Sequence, residues 1–84
     1  MTITKKLKIT HLSGRGHLTW YQVTATIANV QVPLGMVRRS DNWRTWTAIL
    51  YGEARNINLG ETFTNRSEAV DKLWTERARS KYYQ

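Results

Sequence analysis

WRTWTAILYGEARNINLGETFTNRSEAVDKLW, residues 43–74, decides the fold. Trp46, Ala48 and Leu50 alternate with Thr45, Thr47 and Tyr51, the two-residue period of a half-buried strand. Gly52-Glu53-Ala54 supplies a short turn. Ile57 and Leu59 then alternate with Asn56 and Asn58 in a second strand, which Gly60 is expected to end. Asn65 stands three residues before Glu68 and an apolar helical pattern follows, so the spacing predicts an Asn-x-x-Glu capping box. Ala69, Val70, Leu73 and Trp74 form the apolar stripe of a helix from about Arg66 to Ser80, with the Arg77 stem extending it. Glu68 and Lys72 are spaced to pair, and Arg77, Arg79 and Lys81 suit the negative end of the helix dipole.

Working toward the N-terminus, Lys6–Leu12 is a strand candidate, with Leu7 and Ile9 on one face and Lys6, Lys8 and Thr10 on the other. Ser13-Gly14-Arg15-Gly16 reads as a turn. Residues 18–28 form another strand, with Tyr21, Val23, Ala25 and Ile27 on the apolar side and Trp20, Gln22, Thr24 and Thr26 opposite. Val30, Val32 and Leu34 alternate again. Pro33 cannot donate to a ladder, so that segment is expected at an edge or a bend, broken by Gly35. Met36–Arg39 is a candidate to pair onward, and Ser40-Asp41-Asn42 forms a turn before Trp43. The expected architecture is α+β in one domain over residues 1–84: an antiparallel sheet of three to five strands with a C-terminal helix on one face. Residues 1–34 supply N-terminal strands, and residues 35–80 form a sheet-plus-helix unit.

The chain has 84 residues, a formal net charge of +7 and no cysteine, so neither a disulfide framework nor a thiolate metal site is available. The missing cysteines fit a reducing, cytoplasmic setting, nucleoid-associated if the partner is DNA. No apolar run reaches the roughly 18 residues of a membrane span, and no secretory signal is expected at the N-terminus. The charge is uneven. Residues 1–60 hold eight basic and two acidic side chains, whereas residues 61–84 hold five and four. The excess belongs to the strands, which makes the sheet and its loops the candidate polyanion surface.

If the helix covers one sheet face, pleat alternation leaves the other to Lys6, Lys8, Trp20, Gln22, Thr24, Trp43, Thr45, Thr47, Tyr51, Asn56 and Asn58, with Ile49 among them. Lysine neutralises phosphates, and threonine, asparagine and glutamine bond to phosphates and base edges. Aromatic rings stack on bases or sugars. Arg38, Arg39 and Arg44 flank the turn next to Trp43, where the arginine fork suits phosphate or base. Arg55 adds a charge to the turn before Asn56. The ordinary structural duties of these residue types are strand propensity for the threonines and packing over a sheet edge for the tryptophans.

Gly35-x-x-Arg38, Trp46-x-Ala48-x-Leu50, Leu59-Gly60-x-x-Phe63 and Glu68-Ala69 together resemble the plant ethylene-response-factor DNA-binding domain and its relatives in phage integrases and homing endonucleases. The resemblance runs from Gly35 to roughly Ser80. It implies a three-stranded antiparallel sheet in the DNA major groove with a helix packed behind it. It places Trp46, Ala48, Leu50, Ile57, Leu59, Phe63 and Ala69 in the core, and Arg38 or Arg39, Trp43, Thr45 and Thr47 outward. Plant members carry arginine and tryptophan on the third strand, where this chain has Asn56 and Asn58.

Catalytic chemistry has no signature here. His11 and His17 lack acidic or cysteine partners at ligand spacing, and Gly14-Arg15-Gly16 is too short for a nucleotide loop. The serines and threonines have no positioned base, and no enzyme, metal or cofactor is expected. The expected function is a small basic DNA-binding protein that docks an open sheet face on duplex DNA, by analogy of viral or mobile-element type. The alternatives are an inhibitor or adaptor that offers the same face to an acidic protein, and RNA or single-strand binding.

Overall fold

The computed structural model describes residues 6–15, 19–40 and 42–83. Lys5, Gly16, His17, Leu18 and Asp41, to which sequence expectations attach, lie outside the described residues. Five strands follow in order: β1 Leu7–Ser13, β2 Trp20–Ile27, β3 Val30–Arg39, β4 Trp46–Leu50 and β5 Ile57–Phe63. They pair antiparallel with their sequence neighbours as a meander. Helix α1, Arg66–Thr75, follows β5, and a 3₁₀ turn spans Arg77–Arg79. This is the α+β arrangement that the strand and helix periods imply.

The register places Val23, Gly35, Leu50 and Ile57 in one row and Tyr21, Val37, Ala48 and Gly60 in the next. These rows face α1. Val23, Ala25, Leu34, Val37, Ala48 and Leu50 from the sheet close on Ala69, Val70 and Leu73 from the helix, and Trp46, Ile57, Leu59, Phe63 and Trp74 pack around them. Gly35 makes this contact possible: a Cβ there would overlap the Ile49 carbonyl oxygen and the Leu73 Cδ2. A ten-residue helix is about 15 Å long, so it cannot cover a molecule whose longest extent is 41 Å. Its packing falls on β2–β5, and Lys8–Ser13 of β1 stay exposed.

Four strand expectations are corrected. Pro33 lies inside β3, a central strand, rather than at a sheet edge or a break. It is tolerated because β4 ends its pairing at Gly35, so β3 is locally an edge beside Pro33, and the β2 register shifts at the same place. Leu34 is the extra residue of that irregularity, and its side chain turns into the core. Gly35 therefore does not break the strand. Gly60 does not end β5 either: its φ of +141° accommodates a register shift, and the strand continues to Phe63. Trp43–Thr45, expected within a strand, form a turn in which Trp43 has φ of +65°, and β4 starts at Trp46.

Asn65 caps α1 as its spacing predicts, its Oδ1 accepting the Glu68 N–H at 2.9 Å. Glu68 reaches back to the Thr64 N–H at 2.8 Å, one residue beyond the usual partner of a capping box. Glu68 thus serves the cap, and the ion pair of Lys72 is with Glu76 at 3.3 Å rather than the expected Glu68. The helix stops earlier than expected, at Thr75, and the chain tightens into the 3₁₀ turn. The segment after it is tied to the sheet, with the Lys81 N–H donating to the Tyr51 carbonyl at 2.8 Å.

Candidate nucleic-acid interface

The face opposite α1 is built from the alternate residues of each strand. One row runs Trp20, Arg38, Thr47, and the next runs Thr10, Gln22, Met36, Ile49, Asn58. Lys8, Thr24 and Pro33 form a third. No element covers this face among the described residues.

Arg38 and Trp20 stand side by side at one end of it. The Arg38 guanidinium lies 4.9 Å from the Trp20 ring centroid, and its Nη1 donates to the Arg39 carbonyl at 3.0 Å. Both side chains are half-buried, so the cation is held over an aromatic surface. Beside it the Tyr51 hydroxyl donates to Gln22 Oε1 at 3.3 Å, and Gln22 Nε2 donates to Thr24 Oγ1 at 3.5 Å. The relay fixes the Gln22 amide. Burial, and secondarily the neighbouring Tyr82, push the Tyr51 phenol above its ordinary value. Tyr82 meets the Tyr51 ring edge-on at 6.2 Å. Lys6 and Lys8 are exposed at the β1 side, where they offer charge without a fixed geometry.

Other sequence candidates have different duties. Thr47 is 1% exposed, so it is not a contact residue although its strand position faces outward. Its Oγ1 is 2.8 Å from Ser40 Oγ, and Ser40 in turn donates to the Glu61 carbonyl at 2.8 Å. Thr45 donates to the same carbonyl at 2.7 Å. Asn42 Oδ1 accepts the N–H groups of Arg44 and Thr45 at 2.9 and 3.1 Å. These bonds clip the turn between β3 and β4 onto the irregular part of β5. Buried hydroxyls lose water and must find such partners.

Arg39 separates from Arg38 because successive strand residues face opposite ways. Its guanidinium lies 5.2 Å from the Trp46 ring on the helix side, and its Nη1 donates to the Trp43 carbonyl at 2.9 Å. Trp43 is 57% exposed at the tip of that turn, next to exposed Arg44. Arg55 and Asn56 are exposed between β4 and β5, beside a cleft of about 580 Å³ that Glu53, Asn58 and Arg79 also line. Asn58 faces outward, but its amide is engaged: Oδ1 accepts from the Gly60 N–H at 2.8 Å and Nδ2 donates to Glu61 Oε1 at 3.2 Å.

The structure therefore brings Trp20 and Arg38 together at the end of the open face next to the Trp43–Arg44 turn, with Gln22 and Tyr51 farther along, whereas Lys6 and Lys8 stand toward the opposite end and Arg55 and Asn56 lie between β4 and β5. Thr45, Thr47 and Asn58 work as fasteners, and Arg39 serves the helix side. Ser40 was not legible in the sequence, because its burial at 8% exposure depends on a bond across 21 residues of chain. Only the preceding arginine pair and the following turn pattern hinted at that position. Among the described residues no three His, Cys, Asp or Glu side chains gather at a metal distance, and no helix is long and apolar enough to cross a membrane. No protein-family model, curated protein or solved structure matches this chain.

Proposed function

We propose that this chain is a small DNA-binding protein that docks the uncovered sheet face on duplex DNA. One observation carries the reading: Arg38, on the central strand β3 and over the Trp20 ring, faces the polar side of the sheet, while the apolar side is taken by α1. A guanidinium held over a ring loses less freedom on binding, and the arginine fork matches phosphate and base edges. Lys6 and Lys8 add phosphate neutralisation on one flank, Arg44 and Arg55 on others. The charge of +7 favours encounter with a polyanion. The unit β3–β5 plus α1 coincides with the stretch that resembles ethylene-response-factor and phage-integrase domains, which favours duplex DNA and, by analogy, a viral or mobile-element setting.

Fluorescence anisotropy of labelled duplex, single strand and RNA over a salt series tests this. Duplex affinity should fall with salt at a log–log slope of about −0.9 per phosphate neutralised. Tighter binding to single strand or RNA would transfer the site to base stacking on Trp20 and Trp43. No binding to any of the three at about 50 mM salt would overturn nucleic-acid recognition and leave an acidic protein as partner.

A further inference from the structure

We infer that a second copy of this chain pairs along β1, joining two five-stranded sheets into one of ten strands. The two edges of the sheet differ. β5 carries two register shifts and a positive-φ glycine, features that blunt an edge. β1 pairs with β2 without interruption from Leu7 to His11, contains no proline, and has no neighbour on its outer side among the described residues. α1 leaves this strand exposed, with Ile9 at 38% and Leu12 at 47%.

The backbone selects which groups are available. The Thr26 N–H donates to the Lys6 carbonyl at 2.9 Å, so Lys6, Lys8 and Thr10 turn their peptide groups toward β2. Leu7, Ile9 and His11 must therefore turn theirs outward. These three residues fit a second copy of themselves when antiparallel pairing centres on Ile9. Ile9 then opposes the partner's Ile9, and Leu7 opposes the partner's His11, all on the helix side. On the open side Lys8 opposes the partner's Thr10, so no two lysines stand face to face. A centre at Lys8 would oppose the two Lys8 side chains, which is unfavourable. A centre at Thr10 would run into the irregularity at Leu12. Charge placement and strand regularity thus favour the same register.

The two-fold axis of such a pair is normal to the sheet, so both helices lie on one side and both open faces on the other. The inference goes beyond the proposed function, and its test uses no nucleic acid. Sedimentation equilibrium should give twice the 9.8 kDa chain mass. Ile9→Pro removes an outward N–H without touching the β1–β2 ladder and should give a monomer with unchanged circular dichroism. Ile9→Lys, at an exposed position, should do the same and serves if the proline variant fails to fold. Val30→Lys, on β3 with β2 between it and β1, and 61% exposed, should remain dimeric. Thr10→Glu would place a carboxylate opposite the partner's Lys8 twice and should tighten the dimer several-fold at low salt. A wild-type chain that stays at 9.8 kDa up to about 1 mM would overturn the inference. So would a folded Ile9→Lys variant that still dimerises, or a Thr10→Glu variant that dimerises more weakly.

Discussion

The two faces of this sheet are built on different principles. The helix side is held by shape: small and branched side chains, a glycine that lets strand and helix approach, and Leu73 seated over them. The open side is held by direction: a stacked arginine, a tyrosine–glutamine–threonine relay, and hydroxyls tied to the Glu61 carbonyl. Apolar packing tolerates no water, whereas oriented polar groups can exchange a water for a ligand. The first face therefore supplies stability, and the second has the groups with which to bind.

Leu73→Ala should break the covered face with the largest loss, roughly 2–5 kcal/mol, because a fully buried leucine leaves a cavity. Chemical denaturation measures it, and a loss below 1 kcal/mol, roughly the size of a surface effect, would mean that α1 is not the lid of the core. Thr47→Val sharpens the contrast, since Thr47 points to the open side but is buried. Its Ser40 partner would lose a bond, at a cost of roughly 1–3 kcal/mol. DNA affinity of the folded variant should be unchanged; a selective loss of affinity would return Thr47 to the interface. Asn65→Ala should cost about 1 kcal/mol through the lost cap. Asn65→Asp should retain most of that stability in thermal melts.

A smaller effect tests the relay through pH. The Tyr51 phenol has its proton affinity raised in the folded state, first by burial and then by Tyr82. Its contribution is fully present below the ordinary tyrosine value of 10.0 and is lost as pH rises through the raised folded value. Urea midpoints from pH 9 to 11 or so should fall for the wild type. They should fall less steeply for Tyr51→Phe. Identical profiles would show that the phenol is not held by its surroundings.

The sheet, the helix and its cap were legible because they depend on periods of two and 3.6 residues and on one capping pair, all local in sequence. Trp46, Ala48, Leu50, Ala69, Val70 and Leu73 were readable as core for that reason. Pro33 and Gly60 misled, because both sit at register shifts that depend on what pairs alongside. The open face was only partly legible. Alternation finds Lys8 and Trp20, and the turn beside Trp43 points to Arg38, but neither can tell that Thr47 is covered while Trp20 lies under Arg38. The misplacement of Arg39 arose at the end of β3, where two adjacent arginines look equivalent in sequence and the pleat sends them to opposite faces. Thr45 and Thr47 read as outward hydroxyls, yet Thr45 donates to the Glu61 carbonyl on another strand and Thr47 is bonded to the Ser40 hydroxyl.

The most direct test of the account compares charge removal on the two faces. Duplex affinity should be measured over a salt series for the wild type, for Lys8→Glu with Arg38→Gln, and for Arg66→Glu with Lys72→Gln on the helix. All three should first be shown to be folded. The open-face variant should bind more weakly and lose up to about 0.9 of log–log slope for each phosphate contact removed. The helix-side variant should keep a slope close to that of the wild type. Equal losses for the two variants, or a larger loss for the helix-side one, would contradict docking through the open sheet face.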